Sequence, residues 1–245
     1  MDIPPLTFSY KTYRLSSKSN NLPFLAGKYA ALSQQAVTTD PHSFGVAYST
    51  EGTLSPSDYL TRLSRPNAEV FVCVAHPGGV DGSQYTIEQG TWVGMVTQIG
   101  PTPKETYWLK DSGAPEPLED AAETKWHQTA TWISPAHRGK GIGKQLVDVA
   151  LAFAAESITG SVVQTRVRAF TGPGNEVSKR LYGSSGFAIV GRCTILEAML
   201  GNGNAIYPFH GRTVEEWGDE IMSGRYGIIM ERVIRKVVDV NGVAT

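Results

Sequence analysis

With 245 residues, the chain is long enough to bury a sizeable core as one large domain. Its 22 Lys and Arg stand against 23 Asp and Glu, a formal charge of −1, and no basic run exceeds a pair, which argues against a nucleic-acid partner held by counterion release. No window approaches the ~18 apolar residues of a membrane span, and Met1-Asp2-Ile3-Pro4-Pro5 lacks the basic and apolar regions of a secretory signal, so no membrane partner and a cytoplasmic or nucleocytoplasmic location are expected.

In chain order, Leu6 to Leu15 alternates weakly and reads as an opening strand, followed by helical segments over Leu22–Gln35 and, after the Ser55-Pro56 start signal, Ser57–Leu63. Val70–Ala75 and Thr91–Ile99 read as strands, separated by the turn-rich stretch from His76 to Gly82. A strand over Lys125–Ile133 enters a glycine loop and a helix. Then come a strand at about Ser161 to Arg168, a helix starting at Asn175, a strand over Phe187–Cys193 and a last strand over Tyr226–Val233. No internal repeat or low-complexity tract interrupts this order, so a single α/β domain is expected over residues 1–245, with its core from about Leu6 to Val233. Cys73 lies in an apolar run and Cys193 closes another; neither has metal-ligand spacing, so both are expected to be buried structural thiols and no metal is expected.

The most informative stretch runs from Trp132 to Gly143, with Arg138-Gly139-Lys140-Gly141-Ile142-Gly143 at its centre. Its glycines permit positive φ and close approach of amides to a ligand. The apolar residues Ile142, Leu146, Val149, Ala150 and Phe153 fall on one helical face, so the loop opens a helix. A helix N-terminus offers unsatisfied N–H groups and about half a positive charge to a diphosphate. Arg138, Lys140 and Lys144 add mobile positive charge around it. A P-loop is excluded because Arg138 and Gln145 stand where it needs Gly and Ser or Thr. A dinucleotide fingerprint is excluded because Lys144 or Leu146 stands where its third glycine belongs.

A second block, Asn175-Glu176-Val177-Ser178-Lys179-Arg180-Leu181-Tyr182-Gly183-Ser184-Ser185-Gly186-Phe187, places Asn175 and Tyr182 seven residues apart, on one helix face, where they can line a channel for a long thin ligand. Val177 and Leu181 are expected to point elsewhere, into the core. Thr171-Gly172-Pro173-Gly174 is turn chemistry ahead of Asn175, a favoured cap residue.

The glycine loop resembles motif A of the GCN5-related N-acetyltransferase superfamily, Arg/Gln-x-x-Gly-x-Gly/Ala, and the second block resembles that family's later Asn-x-x-Ala-x-x-Leu-Tyr-x-x-x-Gly-Phe pattern, with Ser178 as its one departure. The resemblance implies an α/β fold whose mixed central sheet, flanked by helices, splays between its fourth and fifth strands. It implies acetyl-CoA as co-substrate, its pantetheine along the backbone of Thr131, Trp132 and Ile133 and its diphosphate on the amides from Arg138 through Gly139, Lys140, Gly141, Ile142 and Gly143 to Lys144. It further implies that Asn175 holds the pantetheine and that Tyr182 is the general acid. Acetyl transfer also needs a base or a water chain to deprotonate the amine; Glu123 and His127 are the nearest titratable groups.

The acceptor implied is a primary amine, with a small molecule favoured by a looser resemblance of Pro41 to Glu51 to the substrate-side segment of small-molecule members. A protein lysine or N-terminus, and a non-catalytic acyl-CoA-binding module, are the alternatives. Two long loop insertions, Pro101–Glu123 with Glu116, Glu119, Asp120 and Glu123, and Leu200–Ser223, are further candidates to border the acceptor.

Overall fold

The computed structural model describes residues 7–43, 54–78, 82, 85–203 and 224–236. The strands are β1 (Phe8–Leu15), β2 (Ala68–Pro77), β3 (Thr91–Ile99), β4 (Glu123–Ile133), β5 (Gln164–Thr171), β6 (Ala188–Cys193) and β7 (Gly227–Arg235). The helices are α1 (Leu22–Thr39), α2 (Pro56–Leu63), the single-turn α3 (Lys104–Tyr107), α4 (Ile142–Ala155), α5 (Glu176–Ser184) and α6 (Ile195–Gly201). The seven strands form one mixed sheet in the order β1-β2-β3-β4-β5-β7-β6. β4 and β5 are parallel, from Glu123↔Gln164 to Gln128↔Ala169, and this register stops short of the strand's end at Ile133. The mixed α/β sheet expected from sequence is present.

The chain divides into two compact units, residues 1–97 with 130–147 and residues 98–129 with 148–245. In the first, β1 pairs antiparallel with β2 from Phe8↔Pro77 to Leu15↔Val70. β2 is buried along nearly its whole length, as expected of an inner strand rich in Val and Phe. α1 buries Leu22, Leu25, Ala26, Tyr29, Leu32, Ser33, Ala36 and Val37, a stripe that continues past Gln35 and carries the helix to Thr39. α2 begins as the Ser-Pro pair requires: the Ser55 amide donates to the Asp58 carboxylate at 2.7 Å while Ser55 Oγ accepts from the Asp58 amide, with Pro56 at the first helical position. Tyr29 and Tyr59 then meet edge to face across α1 and α2.

In the second unit, β7 lies between β5 and β6, pairing antiparallel with both. β5 starts at Gln164, later than its expected start: Val162 N–H closes a turn onto Thr159 O, and Val163 N–H reaches Ala122 O, the residue before β4. The 101–123 segment, expected as a loop, has structure of its own. α3 is followed by a 3-10 turn over Lys110–Ser112, Tyr107 is fully buried, and the Lys104 ammonium holds Glu116 and Glu119, each at 2.6 Å. α6 was not anticipated, yet Thr194 and Glu197 form a capping box at its start, a signal present in the letters Thr-Ile-Leu-Glu. Cys73 and Cys193 are buried free thiols, their pKa values pushed up by burial to about 11 and about 12. Residues 44–51 of the expected substrate-side segment, and 204–223 of the second insertion, lie outside the described residues.

Candidate acetyl-CoA site

The glycine loop is built from the end of β4 onward. Ala130 has φ +53, a left-handed conformation that costs a non-glycine residue about 1–2 kcal/mol and that tends to occur at functional positions. The Ser134 amide donates to Val93 O at 2.8 Å, and a 3-10 turn over Pro135–His137 follows. Arg138 is extended, then Gly139 and Gly141 take φ of +74 and +78. No heavy atom lies within 4 Å of where a Cβ would stand on either glycine, so positive φ, not crowding, is what requires glycine there. α4 begins at Ile142, with the Gln145 amide donating to Gly141 O as its first turn closes. The amides before that bond have no intrahelical acceptor. The helix seats itself through buried Ile142, Leu146, Val147, Ala150, Leu151 and Ala154, whereas Val149 and Phe153, expected on that face, are half-buried.

The basic side chains of Arg138 and Lys140 are engaged within the protein. Arg138 donates from Nε to Ile133 O at 2.9 Å and from Nη2 to the Asp40 carboxylate, which also receives Trp132 Nε1 at 2.7 Å. Burial would raise the Asp40 pKa, but these hydrogen bonds and the guanidinium charge outweigh it and hold the carboxyl below its ordinary value. Lys140 Nζ donates to Tyr10 Oη at 2.9 Å, and that hydroxyl is 3.0 Å from His137 Nδ1. Burial, then the Lys140 charge, lowers the His137 pKa. Asp40 and Tyr10 escaped sequence reasoning because nothing local ties residues about a hundred positions away to a loop.

In the second unit, Asn175 caps α5, its Oδ1 accepting from the Ser178 amide at 3.0 Å. That leaves the Nδ2 donors of Asn175 for any ligand role. Tyr182 is 5% exposed and packs edge to face on Phe187, ring centroids 5.1 Å apart. The expectation that Val177 faces the core is wrong: it is 68% exposed, because a five-residue offset from buried Tyr182 turns it to the far side of the helix.

Glu123 and His127 are both brought inside the second unit. Glu123 accepts from Arg166 Nε at 2.9 Å, Gln164 Nε2 at 2.7 Å and the Leu118 amide, so its oxygens are engaged in a buried ion pair. His127 sits between Tyr107 and Phe170, with Gly201 so close that a Cβ there would stand 2.9 Å from His127 Cε1. Burial, assisted by the Arg168 charge, lowers its pKa to about 3, so it is neutral near pH 7 and has little drive to take an amine's proton.

The model of the Acetyltransferase (GNAT) family matches residues 53–187, more than half of the chain and inclusive of both motif blocks. The chain belongs to this family. As a GNAT protein it is an acetyl-CoA-dependent acetyltransferase, and the open left-handed loop ahead of α4 fits a diphosphate-bearing co-substrate. Among solved structures, a GNAT-family acetyltransferase from Streptococcus pneumoniae is 14% identical, covers 92% of this chain and 99% of its own, and has a TM-score of 0.50. A protein of Acinetobacter baylyi ADP1 described as an acetyltransferase is 13% identical over 94% of each chain, also at 0.50. These likenesses show the fold. No curated protein matches the sequence. Among the described residues, no cluster of His, Cys, Asp and Glu could hold a metal ion, and no helix is long and apolar enough to cross a membrane.

Proposed function

We propose that this acetyltransferase transfers the acetyl group to the primary amine of a small molecule by direct attack, with Tyr182 as general acid, and that residues 1–245 form one domain with its core over about 6–233. The observation that carries the small-molecule reading is the internal pairing of the acidic residues in the 101–123 segment. Glu116 and Glu119 hold Lys104, Asp120 holds Lys125 at 2.7 Å, and Glu123 holds Arg166. Each of these four carboxylates pairs with one of the protein's own cations, which weakens the attraction the segment would offer to a basic peptide.

The neutral amine nitrogen attacks the thioester carbonyl, and a strand amide near Ile133 donates to the oxyanion. The tetrahedral intermediate collapses with cleavage of the C–S bond; Tyr182 gives its proton to the leaving thiolate, and the amine's proton passes to water and then bulk solvent. Assigning that proton to solvent is supported by the lowered basicity of His127 and by the ion pair of Glu123. Thr131, Trp132 and Ile133 hold the pantetheine through backbone, the Arg138–Lys144 amides hold the diphosphate, and Asn175 steadies the pantetheine. Two buried free thiols support a reducing, cytoplasmic setting.

The experiment is thiol release from acetyl-CoA against a panel of polyamines, amino acid derivatives, amino sugars and amine drugs, beside acetylation of a bulk protein extract. Turnover with a member of the panel supports the reading; turnover with the extract alone moves the acceptor to a protein lysine or N-terminus.

A further inference from the structure

Asp40 stands at the C-cap of α1, its amide donating to Ala36 O. The helix dipole makes that end unfavourable for a carboxylate. Its side chain explains the placement. Oδ2 receives both the Trp132 indole N–H at 2.7 Å and the Arg138 guanidinium, groups 92 and 98 residues away. Arg138 in turn closes on Ile133 O, the last carbonyl of β4, with Nε at 2.9 Å. One oxygen thus joins the end of α1, the cofactor strand and the first residue of the phosphate loop. From the other flank, Tyr10 on β1 holds Lys140 and meets His137.

We propose that Asp40 is a positioning residue of the acetyl-CoA site: through Trp132 and Arg138 it sets the direction in which the loop leaves β4, and so orients the amides that receive the diphosphate. The inference rests on the reading that residues 138–144 take the diphosphate. The Arg138 guanidinium, already engaged by Asp40 and Ile133 O, then serves as a brace, and recognition falls to the main chain of the loop.

The test uses the full chain with Asp40→Asn, which keeps an acceptor for the indole and loses the charge, and Asp40→Ala, which loses both. Acetyl-CoA affinity is read by calorimetric titration, kcat and both KM values by thiol release, and folding by thermal midpoint. Asp40→Ala is expected to weaken acetyl-CoA binding and raise its KM about tenfold, the size of one lost charge-assisted hydrogen bond. The KM of the amine and kcat stay within about twofold if the effect is confined to the loop, and Asp40→Asn lies between, with a thermal midpoint near that of the wild type. Unchanged acetyl-CoA affinity in both variants overturns the proposal. So does a loss of affinity in both that only follows a matching loss of thermal stability. Failure of the wild type itself to bind acetyl-CoA overturns the reading of the loop, and this inference with it.

Discussion

The Glu231 carboxylate receives Arg168 Nε at 2.8 Å inside the second unit, and Arg168, with an exposure of 0%, lies with its guanidinium 3.9 Å from the centroid of the Tyr107 ring. The same carboxylate takes Arg166 Nη1 at 2.8 Å, and Arg166 reaches on to Glu123. Two arginines and two glutamates therefore balance within one buried cluster.

Replacing Glu231 by Gln keeps the shape and takes away the carboxylate that both arginines share, leaving Glu123 paired with Arg166. Breaking a buried pair by removing one partner costs about 3–5 kcal/mol. The expected outcome is a urea midpoint lowered accordingly, with the slope of the transition unchanged; an unmoved midpoint would show that the arginines find another counter-charge.

His127 links pH to stability with a definite sign. Its pKa is 6.5 when unfolded and about 3 in the fold, so the unfolded chain binds the extra proton first. The stabilisation is complete above pH 6.5 and is lost as pH falls toward 3, by at most about 1.4 kcal/mol per pH unit. Urea titrations across that window should therefore show a shallower acid limb in His127→Asn than in the wild type. Parallel limbs would refute the assignment.

Gly141 is limited by backbone and not by space, since its φ is +78 and no atom crowds a Cβ. Gly141→Ala is expected to cost about 1–2 kcal/mol and to fold. On the proposed diphosphate site, Gly141→Glu would set a carboxylate against the diphosphate, and calorimetric titration should show acetyl-CoA binding lost; wild-type affinity in that variant would move the diphosphate elsewhere.

For Tyr182→Phe, loss of the hydroxyl is expected to lower kcat by about a hundredfold or more, in line with general acid catalysis. Acetyl-CoA affinity should hold, because the ring and its packing on Phe187 are kept. A kcat equal to that of the wild type would end the acid role.

Much of this architecture was legible from local patterns. The continuous apolar run of β2, the Ser-Pro start of α2, the glycine loop ahead of α4 and the Asn175 cap each carry their conformation in neighbouring residues. The late start of β5 and the exposure of Val177 were missed for a physical reason. Apolar residues such as Val162, Val163 and Val177 fit a strand or a core face equally well until the packing partner is known.

What the sequence determined by itself was the family-bearing backbone: a left-handed double-glycine turn leading into a helix, and a helix opened by the Asn175 cap, because both depend on residues within a turn or two of each other. The tertiary structure alone decided which charges are at work. It tied Arg138 to Asp40, spent Glu123 on Arg166 and stripped His127 of its basicity by enclosing it among Tyr107, Phe170 and Gly201. Hydrogen bonds and burial between residues tens of positions apart set those properties, and no local spacing encodes them.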